Sequence, residues 1–156
     1  MKETMKSDEI TLKTAYSICP NYDRVIEVAL STGLSSLSST IQLTPGIPLQ
    51  PMLAHPTRGI HEIMSRFTGH AFTCEWKYDG ERCQIHKMAN GELKLYSRNM
   101  EDHSGKYPDI VKAMPTVVKE GITEFIADAE VVAWDREEKC ILPFQTLATR
   151  KRKVGV

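Results

Sequence analysis

Lys77 stands between Glu75 and Arg82 in the run Glu75-Trp76-Lys77-Tyr78-Asp79-Gly80-Glu81-Arg82, and two later segments offer Arg98 and the pair Asp128 and Glu130. Polar groups delivered to one side by three segments suggest a lined cleft in which a lysine could act as a nucleophile. A lysine attacks only as the free amine, and at a pKa of about 10.4 roughly one in a thousand is neutral near pH 7.4. Lowering that pKa by about three units corresponds to roughly 4 kcal/mol of differential interaction with the two protonation states. Partial burial and neighbouring cations are the available means, with Arg82 and Arg98 as candidates and a metal held by Glu130 as a third contributor. Taken alone, a lysine on the polar face of a half-buried strand is an ordinary solvated charge.

The elements that must position these groups are legible in the periodicity. From Ala71 to Tyr78, Phe72, Cys74 and Trp76 fall on one face and Thr73, Glu75 and Lys77 on the other, which predicts a strand with Glu75 and Lys77 pointing together. Arg82 to Met88 and Glu92 to Arg98 predict a hairpin turned through Asn90-Gly91. Glu124 to Trp134 predicts a further strand with Asp128 and Glu130 on one face, and a charged turn at 135–139 leads to a short strand through Ile141. Pro108 opens a predicted helix with Ile110, Val111, Met114, Val117 and Val118 as its buried stripe and Gly121 as its stop. Ile60, Ile63, Met64 and Phe67 mark a shorter one, closed by Gly69.

Upstream, Ser7 with Asp8 and Glu9 reads as a helix cap, and that helix ends at Pro20. A second helix runs from an Asn21 cap to Gly33. The serine-rich and proline-rich stretch from Leu34 to Pro56 reads as an extended connector, with a domain boundary near Leu43. The expected class is α+β: a short N-terminal helical segment followed by an antiparallel sheet with helices packed on it.

Composition narrows the partners. Hydrophobic residues are 41% and charged residues 26% of 156, within the globular range. Twenty basic and twenty acidic side chains cancel, so attraction to nucleic acid has to be local, and the place for it is Arg150-Lys151-Arg152-Lys153. That run has three readings: a solvated terminus, a nuclear import signal, or a phosphate-contacting strip. The four cysteines are scattered without a C-x-x-C pair, which points to a reducing compartment rather than a zinc site or disulfide framework. The opening residues lack the apolar core of a secretory signal, no run is long enough to span a membrane, and the five histidines show no ligand spacing.

Lys77-Tyr78-Asp79-Gly80-Glu81-Arg82 resembles the K-x-D-G-x-R motif of covalent nucleotidyltransferases. Two further stretches are similar to the following motifs of ATP-dependent DNA ligases. They are Tyr96-Ser97-Arg98-Asn99 with Gly105-Lys106-Tyr107-Pro108-Asp109, and Phe125-Ile126-Ala127-Asp128-Ala129-Glu130. Pro48-Leu49-Gln50-Pro51-Met52-Leu53-Ala54 resembles the opening of their adenylation domain. Pro143-Phe144-Gln145 and Thr149-Arg150-Lys151-Arg152-Lys153 look like the eukaryotic replicative branch, the DNA ligase I type. The resemblance implies that Lys77 accepts the adenylate from ATP, that Glu75 reads the adenine amine, that Arg82 and Arg98 hold sugar and phosphate, and that Glu130 serves Mg2+ or the ribose. It raises the phosphate-contacting reading of Arg150 to Lys153. Asp128 stays open between a structural partner and a metal ligand, and His103 stands where an asparagine is expected.

The resemblance also implies an organisation. Residues 1–43 would be the last helices of a DNA-binding domain with the start of a linker, and 44–156 the N-terminal part of an adenylation domain. The family's later F-D-x-x-Y, E-G-x-x-x-K and K-x-K segments and its oligonucleotide-binding domain do not occur here. The chain is therefore expected to be part of a monomeric nuclear enzyme that seals nicks in duplex DNA in replication and repair, weak or inactive by itself. A replication-clamp partner would engage regions outside it. An RNA ligase or capping-type nucleotidyltransferase, or a non-catalytic DNA-binding fragment, are the competing expectations.

Overall fold

A computed structural model describes residues 2–150. The first helix, α1, spans Lys2–Ile18. Ser7 is therefore inside it and does not cap it; its carbonyl accepts a bond from Thr11 Oγ1 at 3.0 Å. Lysine, glutamate and methionine before Ser7 are good helix formers, so nothing stops the helix from starting earlier. Helix α2, Tyr22–Thr32, behaves as expected: Asn21 Oδ1 accepts from the Arg24 amide at 3.0 Å, and Gly33, at φ +86°, ends it.

The connector does not begin at Leu34. A 3-10 turn over Leu34–Ser36 leads into α3, Leu37–Thr40. The serines there satisfy helical carbonyls with their own hydroxyls, as Ser36 does to Thr32 and Ser39 to Ser36, both at 2.9 Å. Leu37 is fully buried with Ala15, Cys19, Val25, Val28 and Ile41, and this contact outweighs the low helix propensity of serine.

Helix α4, Ile60–Arg66, follows, with Ile60 and Met64 exposed and Ile63 half-buried. Residues 71–78 do not form the expected strand: none has a ladder partner among the described residues, and all are exposed. Alternation is rewarded only when one face is covered and the backbone is paired. Trp76 shows why neither holds, at 85% exposure.

The sheet itself is β1, Glu81–Lys87, flanked by β2, Leu93–Ser97, and β3, Phe125–Val131, both antiparallel to it in the order β2-β1-β3. The hairpin turn is the predicted one, with Gly91 at φ +85° and Asn90 Oδ1 accepting from the Glu92 amide at 2.9 Å. Helix α5, Pro108–Val117, stops before Val118, short of the expected glycine. A small hairpin, β4 (Trp134–Asp135) with β5 (Cys140–Ile141), and a helix α6, Phe144–Ala148, complete the described residues. The last of these helices had no sequence signal of its own. The result is α+β with an antiparallel sheet, and the four cysteines are free thiols.

The register divides β1 into two faces. Cys83, opposite Ala129 and Ser97, packs with Leu95, Tyr107 and Leu147 under α5 and α6. Arg82, Gln84 and His86 face the other way, opposite Glu130, Asp128 and Ile126. Two of these polar residues are nonetheless buried, because the proline-rich connector lies over them. Gln84 takes the Leu49 amide on Oε1 at 2.8 Å and donates Nε2 to the Leu49 carbonyl at 2.5 Å, imitating a strand partner. The Gly46 amide donates to His86 Nδ1 at 3.0 Å, and the Tyr96 hydroxyl donates to the Gly46 carbonyl at 2.7 Å.

An Nδ1 that accepts cannot carry a proton, so His86 is the neutral Nε2–H tautomer. Burial holds its pKa below the ordinary value. The unfolded chain therefore binds more protons than the folded one below about pH 6.5, and the stability His86 contributes, complete above that value, is lost as pH falls through the folded pKa. In urea unfolding between pH 7 and pH 5, His86→Asn, which keeps an acceptor near Nδ1, should show a shallower loss of stability than the parent chain. An equal slope in both would remove His86 as the acid-sensitive group.

Candidate nucleotide-binding cleft

The start of β1 and the middle of β3 are joined by a diagonal cross-strand pair. Arg82 Nε donates to Asp128 Oδ1 at 3.0 Å and Nη2 to Oδ2 at 2.6 Å, while Nη1 reaches the Met52 carbonyl at 3.0 Å. One guanidinium thus ties β1, β3 and the connector together. The bond to Asp128 raises the Arg82 pKa further, burial opposing it and the charges of Asp128 and Glu130 adding to it. Asp128, which the sequence left open, is the arginine's partner here. The pairing also means that Arg82 is not the unopposed cation expected beside Lys77.

Two open clefts border this pair. The larger, about 810 Å3, is lined by Glu75, Lys77, Arg82, Asp128 and Glu130 among others; the smaller, about 400 Å3, by Lys77, Arg82, Arg98, Glu130 and Phe144. Lys77, Arg82 and Glu130 belong to both. The sequence-predicted residues are therefore brought together, with Glu75 on one side and Arg98 on the other. Lys77, Glu75, Arg98 and Glu130 are exposed, so the site is a surface cleft rather than a buried pocket. Of the basic run only Arg150 is described: it bonds Asp109 Oδ1 at 2.9 Å and lies 5.9 Å from the centre of the Tyr107 ring. Lys151, Arg152 and Lys153 lie outside the described residues.

Sequence reasoning missed Glu81. Its carboxylate sits on the face of Cys83, where Lys106, Tyr107 and His103 surround it at 2.5–2.9 Å. Burial by itself raises its pKa, but the hydrogen bonds from Lys106 and Tyr107 and the nearby positive charge prevail and hold it below the ordinary carboxylate value. The signal was present in the pattern: a charged residue at a core-face position of a strand demands a partner. His103 also acquires a contact, which the sequence could not assign.

No group of three or more metal-ligating side chains occurs among the described residues. The carboxylate that lines both clefts without an ion-pair partner among those residues is Glu130. That donor set fits a magnesium ion held chiefly by substrate phosphates with one carboxylate, and does not fit an all-protein metal cage.

Gly80 sets how closely the Lys77 turn approaches the sheet. A Cβ there would overlap the Val131 carbonyl oxygen and lie 2.9 Å from Glu130 Cγ. Backbone atoms cannot give way as a flexible side chain can. Gly80→Ala should therefore destabilise the chain by about 1–3 kcal/mol, the usual cost of forced overpacking. Urea unfolding measures this, and an unchanged midpoint would mean that the turn moves freely.

Residues 51–156 match the ATP dependent DNA ligase domain. Over 152 residues the chain is 49% identical to DNA ligase 1 of Drosophila melanogaster, covering 97% of this chain and 20% of that protein. It is 48% identical over 145 residues to DNA ligase 1 of Schizosaccharomyces pombe, and 41% identical over 145 residues to a DNA ligase of Caldivirga maquilingensis. Both alignments cover 93% of this chain, and they cover 19% and 23% of those proteins. The chain thus spans about a fifth of the length of these curated relatives. With the domain match running over residues 51–156 and identity along almost the whole sequence, the chain belongs to the ATP-dependent DNA ligase family.

Proposed function

We propose that the chain carries the nucleotide-accepting part of an ATP-dependent DNA ligase, with Lys77 as the group that takes AMP. The observation that supports this best is that Lys77, Arg82 and Glu130 line the same two clefts in a member of that family. In the reaction the Lys77 amine attacks the α-phosphorus of ATP, an N–P bond forms, the bond to the pyrophosphate oxygen breaks, and the surplus amine proton leaves to solvent. Glu75 accepts from the adenine amine. Arg98, which has no ion-pair partner among the described residues, and Arg82 face the sugar and phosphates. Glu130 would hold Mg2+ or the ribose, and bound Mg2+ would neutralise charge on the phosphates.

The AMP would next be passed to the 5′-phosphate of a nick in duplex DNA, in replication and repair within the nucleus. Arg150 to Lys153 would meet the DNA backbone, a contact that weakens with salt and ignores base sequence. On this reading residues 1–43 close a DNA-binding domain and 44–156 begin the adenylation domain of a monomeric enzyme. A replication clamp would bind elsewhere. No helix of the described residues is long and apolar enough to cross a membrane.

ATP labelled at the α-phosphate should leave label on the full-length protein, Lys77→Ala should reduce it to background, and chelation of magnesium should do the same. GTP should not replace ATP. Undiminished labelling of the alanine variant would take Lys77 out of the reaction, and labelling by GTP in preference would turn the reading toward a capping-type enzyme.

A further inference from the structure

Glu81 is the first residue of β1 and so the first ladder-bonded position after the turn that carries Lys77. Its side chain points to the helix-covered face and is about a fifth exposed, at 22%. Lys106 Nζ lies 2.6 Å from Oε1 and 2.5 Å from Oε2, the Tyr107 hydroxyl donates to Oε2 at 2.9 Å, and His103 Nδ1 is 2.9 Å from Oε1. Three partners from one loop converge on one carboxylate.

Stability alone does not require this arrangement. A partly buried ion pair can commonly be replaced by apolar groups of similar volume without loss. Cys83, Leu95 and the Tyr107 ring already supply apolar packing on that face. Directional, charge-assisted bonds supply something packing does not, a narrowly fixed position. The next residue, Arg82, is fixed on the opposite face by Asp128 and the Met52 carbonyl. The strand end is clamped from both sides, and Gly80 seats the turn against Val131.

We infer that Glu81, with Lys106, Tyr107 and His103, is a positioning cluster that sets Lys77 and Arg82 for nucleotidyl transfer, an inference that rests on Lys77 being the AMP acceptor. The cluster acts through the strand end rather than on the nucleotide. The Tyr107 ring also lies beneath Arg150, so the same loop fixes the root of the basic run.

The test is the rate of label transfer from α-labelled ATP to the full-length protein, with thermal midpoints measured in parallel. Glu81→Met and Glu81→Gln, which leave Lys106 without its carboxylate, should lower the midpoint yet stay folded at the assay temperature with an unchanged KM for ATP, while the rate at saturating ATP falls by about tenfold to a hundredfold, the usual penalty for a small misplacement. Tyr107→Phe, which removes one bond, should lower the rate by about threefold. It decides the matter if the Glu81 variants fail to fold. Stable variants with an undiminished rate, or with a raised KM and an unchanged rate, would overturn the inference. If Lys77→Ala itself still takes label, the underlying reading fails instead, whatever the Glu81 variants do.

Discussion

The strict alternation of side chains along β1 is the constraint on which the rest of the structure depends. Its residues on one face enter an apolar core under two helices, and those on the other bind the connector and open into the clefts. A slip of one residue would exchange these faces and dissolve the site. Nothing in the composition enforces the register as firmly as the polar bonds do. Arg82 finds both oxygens of Asp128, Gln84 finds both backbone groups of Leu49, and Glu81 finds its three partners only in this alignment.

Charge is distributed around the site in a way that leaves room for a ligand. The surface pairs on α1, α2 and α4 are exposed and contribute little. The pairs at the start of β1 are partly covered and directional, and they hold backbone segments together. Once these are formed, Lys77, Arg98 and Glu130 stand at the clefts without ion-pair partners among the described residues. Two cations and a carboxylate in that setting suit a magnesium-bound phosphate chain better than an apolar ligand.

Much of this was legible in the letters, and the gaps have physical causes. The Asn21 and Gly33 signals, the Asn90-Gly91 turn and the pairing of Asp128 with Glu130 on one face are local, and local rules found them. Ser7 was misleading because a cap signal carries no information about helix formers preceding it. The strand expected over 71–78 failed because a pattern of alternation says nothing about whether a ladder partner exists. Leu34 to Thr40 folded as helix because Leu37 is needed by the core, a tertiary demand invisible to propensity. The residues that line the clefts were singled out by motif. Their support was not, since the bonds from Gln84, His86 and Glu81 join positions 22 to 40 residues apart.

The most direct test of the account is the location of the covalent AMP. After incubation of the full-length protein with ATP and magnesium, tryptic peptide mass spectrometry should place the adduct on the Lys77 side-chain nitrogen, within the peptide that runs from Phe67 to Arg82. An adduct found instead on Lys87 or Lys106, or on none of the peptides of this chain, would contradict it.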